Sequence, residues 1–270
     1  MARIWIRRLE FDLRTTGSRE YVFSPQFTQL EHVNEEQRSG ILEGMEYSLC
    51  QERTPRNTDV ALSFNAGARG SFMFRSMNKN GRSRYSMDYV GNPVSKEEYA
   101  RKMEGSGILV EGMLHKGRTW EQFVQMSPVR LGHHLSSFNP PNFQEFVTQV
   151  DLYFTEAYRV LKHNSARLVR IGRHQVGVVL SDQAGNEIQP NDVSGAPLAI
   201  ASFSLICAIQ KALGRRNVVV DNIHSMYGND ADTREMMSRV VELCALQNLQ
   251  IIATSEPTNL YHREIHVIQI

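Results

Sequence analysis

The sequence predicts an α/β fold of two lobes, with mixed β-sheets and packed helices, and three observations carry that prediction. Val193 to Asn222 reads VSGAPLAIASFSLICAIQKALGRRNVVVDN, a helix signal and a basic turn followed by a buried strand that ends in an acid. Short runs between Ile4 and Tyr89 alternate polar and apolar residues with the period of half-buried strands. Phe143 to Lys162 and Ala231 to Gln247 carry their apolar residues at helical spacing.

In chain order, Ile4-Trp-Ile6 and Leu9-Glu-Phe11 read as an opening strand, with Tyr21-Val-Phe23 as its hairpin partner across the Thr-Thr-Gly-Ser turn. Gly40 to Gln51 reads as a helix through Ile41, Leu42, Met45 and Leu49. Asn34-Glu-Glu-Gln ahead of it reads as a cap and first turn, its acids favourably placed at the helix N-terminus. Val60 to Phe64, Ser71 to Arg75 and Arg84 to Tyr89 read as antiparallel strands. Arg69, Arg75, Lys79, Arg82 and Arg84 fall in an interval without an acid, which suits either a solvated hairpin or contact with a DNA backbone. Ser95 to Glu98 is a capping box that opens a helix through Met103. His133-His134 reads as a pair of surface or cap histidines, because neighbours in sequence point to different sides and no third metal ligand stands at useful spacing.

Ser136-Ser-Phe-Asn-Pro-Pro-Asn142 is the clearest linker, so residues 1–135 and 143–270 are expected to form two lobes joined by residues 136–142. The helix from Phe143 is expected to pack on the helix Gly40 to Gln51. Strands follow at Leu168 to Ile171, Val176 to Ser181 and around Ile188. Ser194 sits where an N-cap belongs and Pro197 lies in the first turn. Leu198, Ile200, Phe203, Leu205, Ile206 and Ile209 then cover all faces of a helix that must be buried. Asn217-Val-Val-Val ends at Asp221-Asn222, the carboxyl end of a strand, where open α/β sheets bind ligands. Leu249 to Thr254 and Glu264 to Ile270 are the last strands.

The composition admits such a domain. The chain has 270 residues, of which 41% are hydrophobic, enough for one sizeable core or two lobes of roughly 100–150 residues. A formal net charge of +1 argues against bulk electrostatic capture of nucleic acid or anionic membrane. No apolar run reaches the length of a membrane span, and MARIWIRRLEF is too short and charged for a signal peptide, so an intracellular chain is expected. Cys50, Cys207 and Cys244 form no CxxC pair and are expected to be reduced structural thiols.

Ser-Gly opening a buried helix, then three valines and an Asp, resembles the C-terminal half of an ABC-type ATPase head of the SMC (structural maintenance of chromosomes) family. There the signature reads LSGGE and the following Walker B strand ends Asp-Glu; here they read Val193-Ser-Gly-Ala-Pro-Leu198 and Asp221-Asn222. Phe23-Ser-Pro-Gln-Phe-Thr28 matches the family's entry to its phosphate loop. That segment, Tyr89 to Pro128, Lys162 to Leu168 and Ser255 to Tyr261 are similar to the cohesin chain whose head accepts the C-terminal domain of a kleisin. The phosphate loop itself, G-x-x-G-x-G-K-S, falls on His32-Val-Asn-Glu-Glu-Gln-Arg-Ser39. The metal-reaching Gln falls on Lys116, which has no oxygen to offer Mg²⁺.

By this resemblance Asn34, Arg38, Ser39, Lys116, Ser194, Gly195, Asp221 and Asn222 are the positions of a degenerate nucleotide pocket. The loop's glycines would supply backbone N–H groups to cradle phosphates, and Glu35-Glu36 would face those phosphates instead. A carboxylate about 5 Å from a phosphate charge costs roughly 3 kcal/mol at an effective dielectric of about 20. Asn222 stands at the position of the family's catalytic Glu and cannot draw a proton from water. The resemblance implies a head without coiled coil or hinge that neither binds nor hydrolyses ATP, needs no cofactor or metal, and has no catalytic residues. An SMC head, a kleisin, or both are the partners it implies, in the nucleus on chromosomes, with inhibition of the partner complex as the outcome. The kleisin contact would use Ile265, Val267 and Ile270. Two other readings stand beside it. Ser194 either caps its helix or lends its hydroxyl in trans to an ATP held by an intact head, and the basic hairpin would make an architectural DNA-binding protein. An unrelated α/β domain is the remaining alternative.

Overall fold

The computed structural model describes residues 5–13, 17–32, 35–49, 58–65, 71–80, 82–87, 92–105, 114–115, 117–227, 230–258 and 264–270. Cys50 lies outside them, as do Asn34, Arg69 and Lys116. Cys207 and Cys244 are buried free thiols, held protonated by burial.

A six-stranded antiparallel sheet takes β1 (Trp5–Leu13), β2 (Gly17–Val22), β4 (Thr58–Asn65), β5 (Ser71–Lys79), β6 (Arg82–Ser86) and β7 (Pro93–Val94), in the order β2-β1-β4-β5-β6-β7. A five-stranded parallel sheet takes β3 (Phe27–Glu31), β8 (Leu114–His115), β12 (Asn217–Val220), β13 (Gln250–Ser255) and β14 (His266–Gln269), in the order β14-β3-β13-β12-β8. β9 (Ala166–Gly172), β10 (Gln175–Ser181) and β11 (Glu187–Ile188) form a small antiparallel sheet. The helices are α1 (Glu35–Leu49), α2 (Lys96–Gly105), α3 (Pro128–Ser137), α4 (Phe143–Lys162), α5 (Ala196–Ala212) and α6 (Asp230–Gln247).

The parallel sheet draws strands from both sides of the 136–142 linker. β13 and β12 are buried along their whole length, as the Val and Ile runs dictate for strands covered on both faces. One apolar core gathers α3, α4, α5, α6 and the small sheet around Phe154, Phe203 and Leu205, and includes Phe27 of β3. The other lies between the six-stranded sheet and α1, around Leu9, Ile41, Met45 and Phe74, and includes Val219 of β12 and Ile252 of β13. Successive residues of each strand therefore feed opposite cores.

Several local signals act as their chemistry requires. The Asn142 side chain accepts hydrogen bonds from the backbone N–H of Gln144 and Glu145 and opens α4 at Phe143. His163, in the left-handed region at φ 61°, closes it. The Ser95 hydroxyl accepts from the Glu98 N–H at 3.0 Å and starts α2. His133 is exposed, and His134 stacks edge-on between Phe123 and Phe138.

The expected packing of α4 on α1 does not occur. α4 lies against α5, α6, α3 and β9, whereas α1 lies on β1, β4 and β5. Ile41, Leu42 and Met45 are spent on the antiparallel sheet, and α4 finds its apolar surface in α5, which is apolar on every face. Two further elements have no counterpart in the sequence reading. A 3₁₀ helix at Gly117–Gln125 brings Trp120 beneath β12, and α3 follows it with Ser127 as cap. α3 and α4 are joined by residues 138–142 alone.

Candidate functional site

β3, β13 and β12 are adjacent and parallel, so Glu31, Ser255 and Val220 bring their carboxyl ends to one place. Asp221 follows β12 and is 4% exposed. Thr254 Oγ1 donates to its carboxylate Oδ1 at 2.7 Å and accepts from the Asn222 N–H at 2.7 Å. Trp120 Nε1 donates to the Asp221 carbonyl at 2.7 Å, and the Asp221 N–H donates to the His115 carbonyl at 2.9 Å. Asp221 is thereby fixed from three directions, and the oxygen that accepts from Thr254 also faces a cation.

That cation is Arg38. Its Nε lies 3.4 Å from Asp221 Oδ1, and its Nη2 donates to Glu35 Oε1, three residues back on α1. α1 begins at Glu35, so Glu35 and Glu36 stand in its first turn as the residues themselves suggest, and the positions 35–39 that align with the family's phosphate loop are helical. Glu35 and Glu36 are exposed in the first turn, which favours acids, and Ser39 is half-buried one position beyond Arg38. Arg38 faces two carboxylates, and its charge is already answered from within the chain.

His32 is buried beside this pair, and its N–H donates to the Ser255 carbonyl at 3.1 Å. Burial pushes its pKa below the ordinary histidine value and the Arg38 charge adds to the effect, against the pull of Asp221, Glu256 and Glu35. It is neutral at pH 7, and its Nε2 has no hydrogen-bond partner among the described residues. Asn222 sits at φ 56°, ψ 61°, a left-handed conformation that Asn adopts far more readily than Glu. Its amide carries no basic lone pair for a water proton. Among the described residues no group of His, Cys, Asp and Glu could hold a metal ion, and no helix is long and apolar enough to cross a membrane.

The structure relocates other expected site residues. Ser194 does not cap α5. The cap is Gly195, at φ 63° and ψ −145°, whose carbonyl accepts from the N–H groups of Leu198 and Ala199. This backbone region is open to glycine alone, so the helix starts one residue late and Ser194 and Gly195 are both exposed. Arg75 is taken by Asp59, with Nε donating to Oδ1 at 2.7 Å and Nη2 to the second oxygen. It is not available to DNA, while Lys79, Arg82 and Arg84 remain exposed along the β5–β6 hairpin. Ile265 is 7% exposed and belongs to the core, with one edge lining a surface groove. Val267 and Ile270 are half-buried along the edge strand β14.

Residues that the sequence reading passed over hold the site together: Thr254, Trp120, and a buried polar group of Gln29, Glu31 and Tyr227. Thr254 was legible as a polar residue closing an apolar strand. The others carried no local sign.

The fold is that of an SMC head domain. No family model and no curated protein matches the sequence, yet solved structures match nearly all of it. An SMC head bound to the C-winged helix domain of ScpA superposes with a TM-score of 0.76 at 19% identity, covering 94% of this chain and 90% of that one. An SMC head with an extended coiled coil from Pyrococcus furiosus, bound to the C-terminal domain of ScpA, gives 0.68 at 15% identity, with 94% and 90% covered. The SMC head domain from Thermotoga maritima gives 0.64 at 14% identity, with 93% and 89% covered.

Proposed function

We propose that the chain is a non-catalytic SMC-head-like protein, a pseudo-ATPase, that binds an SMC/kleisin complex of the cohesin type and inhibits it. The observation that carries this reading is the closure of Arg38 onto Asp221 and Glu35. A nucleotide would have to break that pair, face Glu35 and Glu36, and do so without a glycine loop to cradle its phosphates. Asn222 removes the base as well. Calorimetry with millimolar Mg-ATP is expected to be flat, and micromolar binding would overturn the reading.

Partner binding is supported by the β14 edge. One side of this strand pairs with β3 and the other ends the sheet among the described residues, next to a groove of about 370 Å³ lined by Val22, Phe23, Ser24, Glu264, Ile265 and His266. Val22 is 49% exposed there. An edge strand with a half-exposed apolar rim accepts a partner by strand addition, and a kleisin C-terminal domain is the occupant we assign, as in the ScpA-bound heads. α3 passes to α4 through residues 138–142 with no coiled coil between them, so a complex containing this head would not close a ring. Competition with an intact head then makes the protein an inhibitor, and its place is the nucleus, on chromosomes. Affinity purification is expected to bring down SMC or kleisin chains.

The exposure of Ser194 favours a second reading, in which Ser194 and the α5 N-terminus complete an ATP site on an intact partner head. Ser194→Arg would then abolish ATP-dependent association and leave the β14 contact intact. Lys79, Arg82 and Arg84 support a weak DNA contact, whose salt dependence should flatten when all three become Ala.

A further inference from the structure

The buried polar group behind β3 runs across the molecule as a directional chain of hydrogen bonds. Tyr227 Oη donates to Gln29 Oε1 at 3.0 Å, and Gln29 Nε2 donates to Glu31 Oε1 at 3.0 Å. Glu31 also accepts from the Thr258 N–H at 3.2 Å and the Thr258 hydroxyl at 2.7 Å, and its Oε2 accepts from Gln269 Nε2 at 3.2 Å. Tyr227, Gln29 and Glu31 are 6%, 0% and 5% exposed, so water does not substitute readily for any link. Polarity is fixed at one end. An ionised Glu31 only accepts, so the Gln29 amide must turn its NH₂ towards it and its oxygen towards Tyr227, which must donate. Burial and the Glu31 charge both raise the Tyr227 pKa, which keeps the phenol protonated.

Each end of the chain lies close in sequence to a residue that lines a different cavity. Tyr227 follows the 3₁₀ turn Ile223–Met226, and Met226 lines a cavity of about 500 Å³ together with Ala196 and Ile200 of α5, Lys162, Asp232 and Met236. Gln269 lies on β14 opposite Glu31, three residues from His266, which lines the groove beside Val22. His266 Nε2 in turn stands 3.1 Å from the Val22 carbonyl.

We infer that the relay Tyr227–Gln29–Glu31–Gln269 couples the turn Ile223–Met226 to the edge strand β14, so that loosening either end loosens the other. The cavity beneath α5 and the β14 groove are then linked sites within one chain. The proposal rests on the reading of β14 as a partner surface only for its biological meaning; the coupling itself stands on the hydrogen bonds. Linkage requires it to be reciprocal.

Hydrogen exchange on the full chain tests both directions. Tyr227→Phe removes one donor at almost constant volume. It is expected to raise exchange at 266–270 by about threefold or more (about 0.7 kcal/mol of opening free energy, RT being about 0.59 kcal/mol) while 146–161 of α4 keeps its protection. Gln269→Leu should raise exchange at 223–227 in the same way. Thr258→Val, which removes a side contact to Glu31 and leaves the relay whole, should affect its own loop and neither end. Changes confined to the mutated end, or a uniform rise that includes α4, would overturn the coupling. If ATP binds, or if kleisin binding fails, while the reciprocal exchange holds, the functional reading fails and the relay stands.

Discussion

Arg38 Nε lies 3.4 Å from Asp221 Oδ1 across the carboxyl end of the parallel sheet, and Asp221 is nearly sealed from solvent. Removing the cation leaves a buried carboxylate with that counter-charge lost, while the Thr254 hydroxyl still donates to it. Arg38→Met should destabilise the fold by about 2 kcal/mol, below the usual cost of breaking a fully buried pair because Arg38 is partly exposed. Urea denaturation checks this, and Arg38→Met combined with Asp221→Asn should recover part of the loss.

Thr254 bridges Asp221 and the Asn222 N–H through one oxygen. Thr254→Val keeps the shape and removes both bonds, at an expected cost of about 2–3 kcal/mol. Thr254→Ser should retain most of the stability.

Two glycines should respond to alanine for different reasons. At Gly132 an added Cβ would stand 1.9 Å from the His174 carbonyl oxygen, where α3 rests on β10, and backbone must move. At Gly195 nothing lies within 4 Å, and the cost is the positive φ alone. Gly132→Ala should lower stability by more than about 2 kcal/mol, and Gly195→Ala by about 1–3 kcal/mol. Only the second should shift the start of α5, seen as changed exchange at 196–199.

His32 is held neutral in the fold, its pKa lowered by burial and then by Arg38. The unfolded chain binds the proton more readily, so His32 contributes its full stability above the ordinary histidine value of about 6.5. That contribution is lost as pH falls from there through the lowered folded value. Tm measured between pH 7.5 and 5 should fall less in His32→Gln than in the parent; an identical pH profile would count against the assignment.

Residues 1–135 should not fold alone. β3 draws its hydrogen bonds from β13 and β14, and the core beneath the antiparallel sheet includes Val219 and Ile252. The fragment should lack a cooperative thermal transition, whereas the full chain should show one.

What the sequence by itself determined was local. The limits of α4 were legible because a Pro-Pro linker precedes it and its apolar residues repeat at helical spacing, and the burial of α5 because no face of it is polar. The placing of Asp221 and Asn222 at a strand's end followed from three valines and a change to polar side chains. Tertiary structure decided where those pieces met. It turned Arg38 onto Asp221, gave α4 the surface of α5 in place of α1, and let Gly195 take the cap from Ser194. Periodicity and capping are properties of one segment, fixed by sterics and solvent exposure over a few residues. A hydrogen bond between Tyr227 and Gln29 depends on the order in which strands enter a sheet, and no window of sequence contains both ends of that bond.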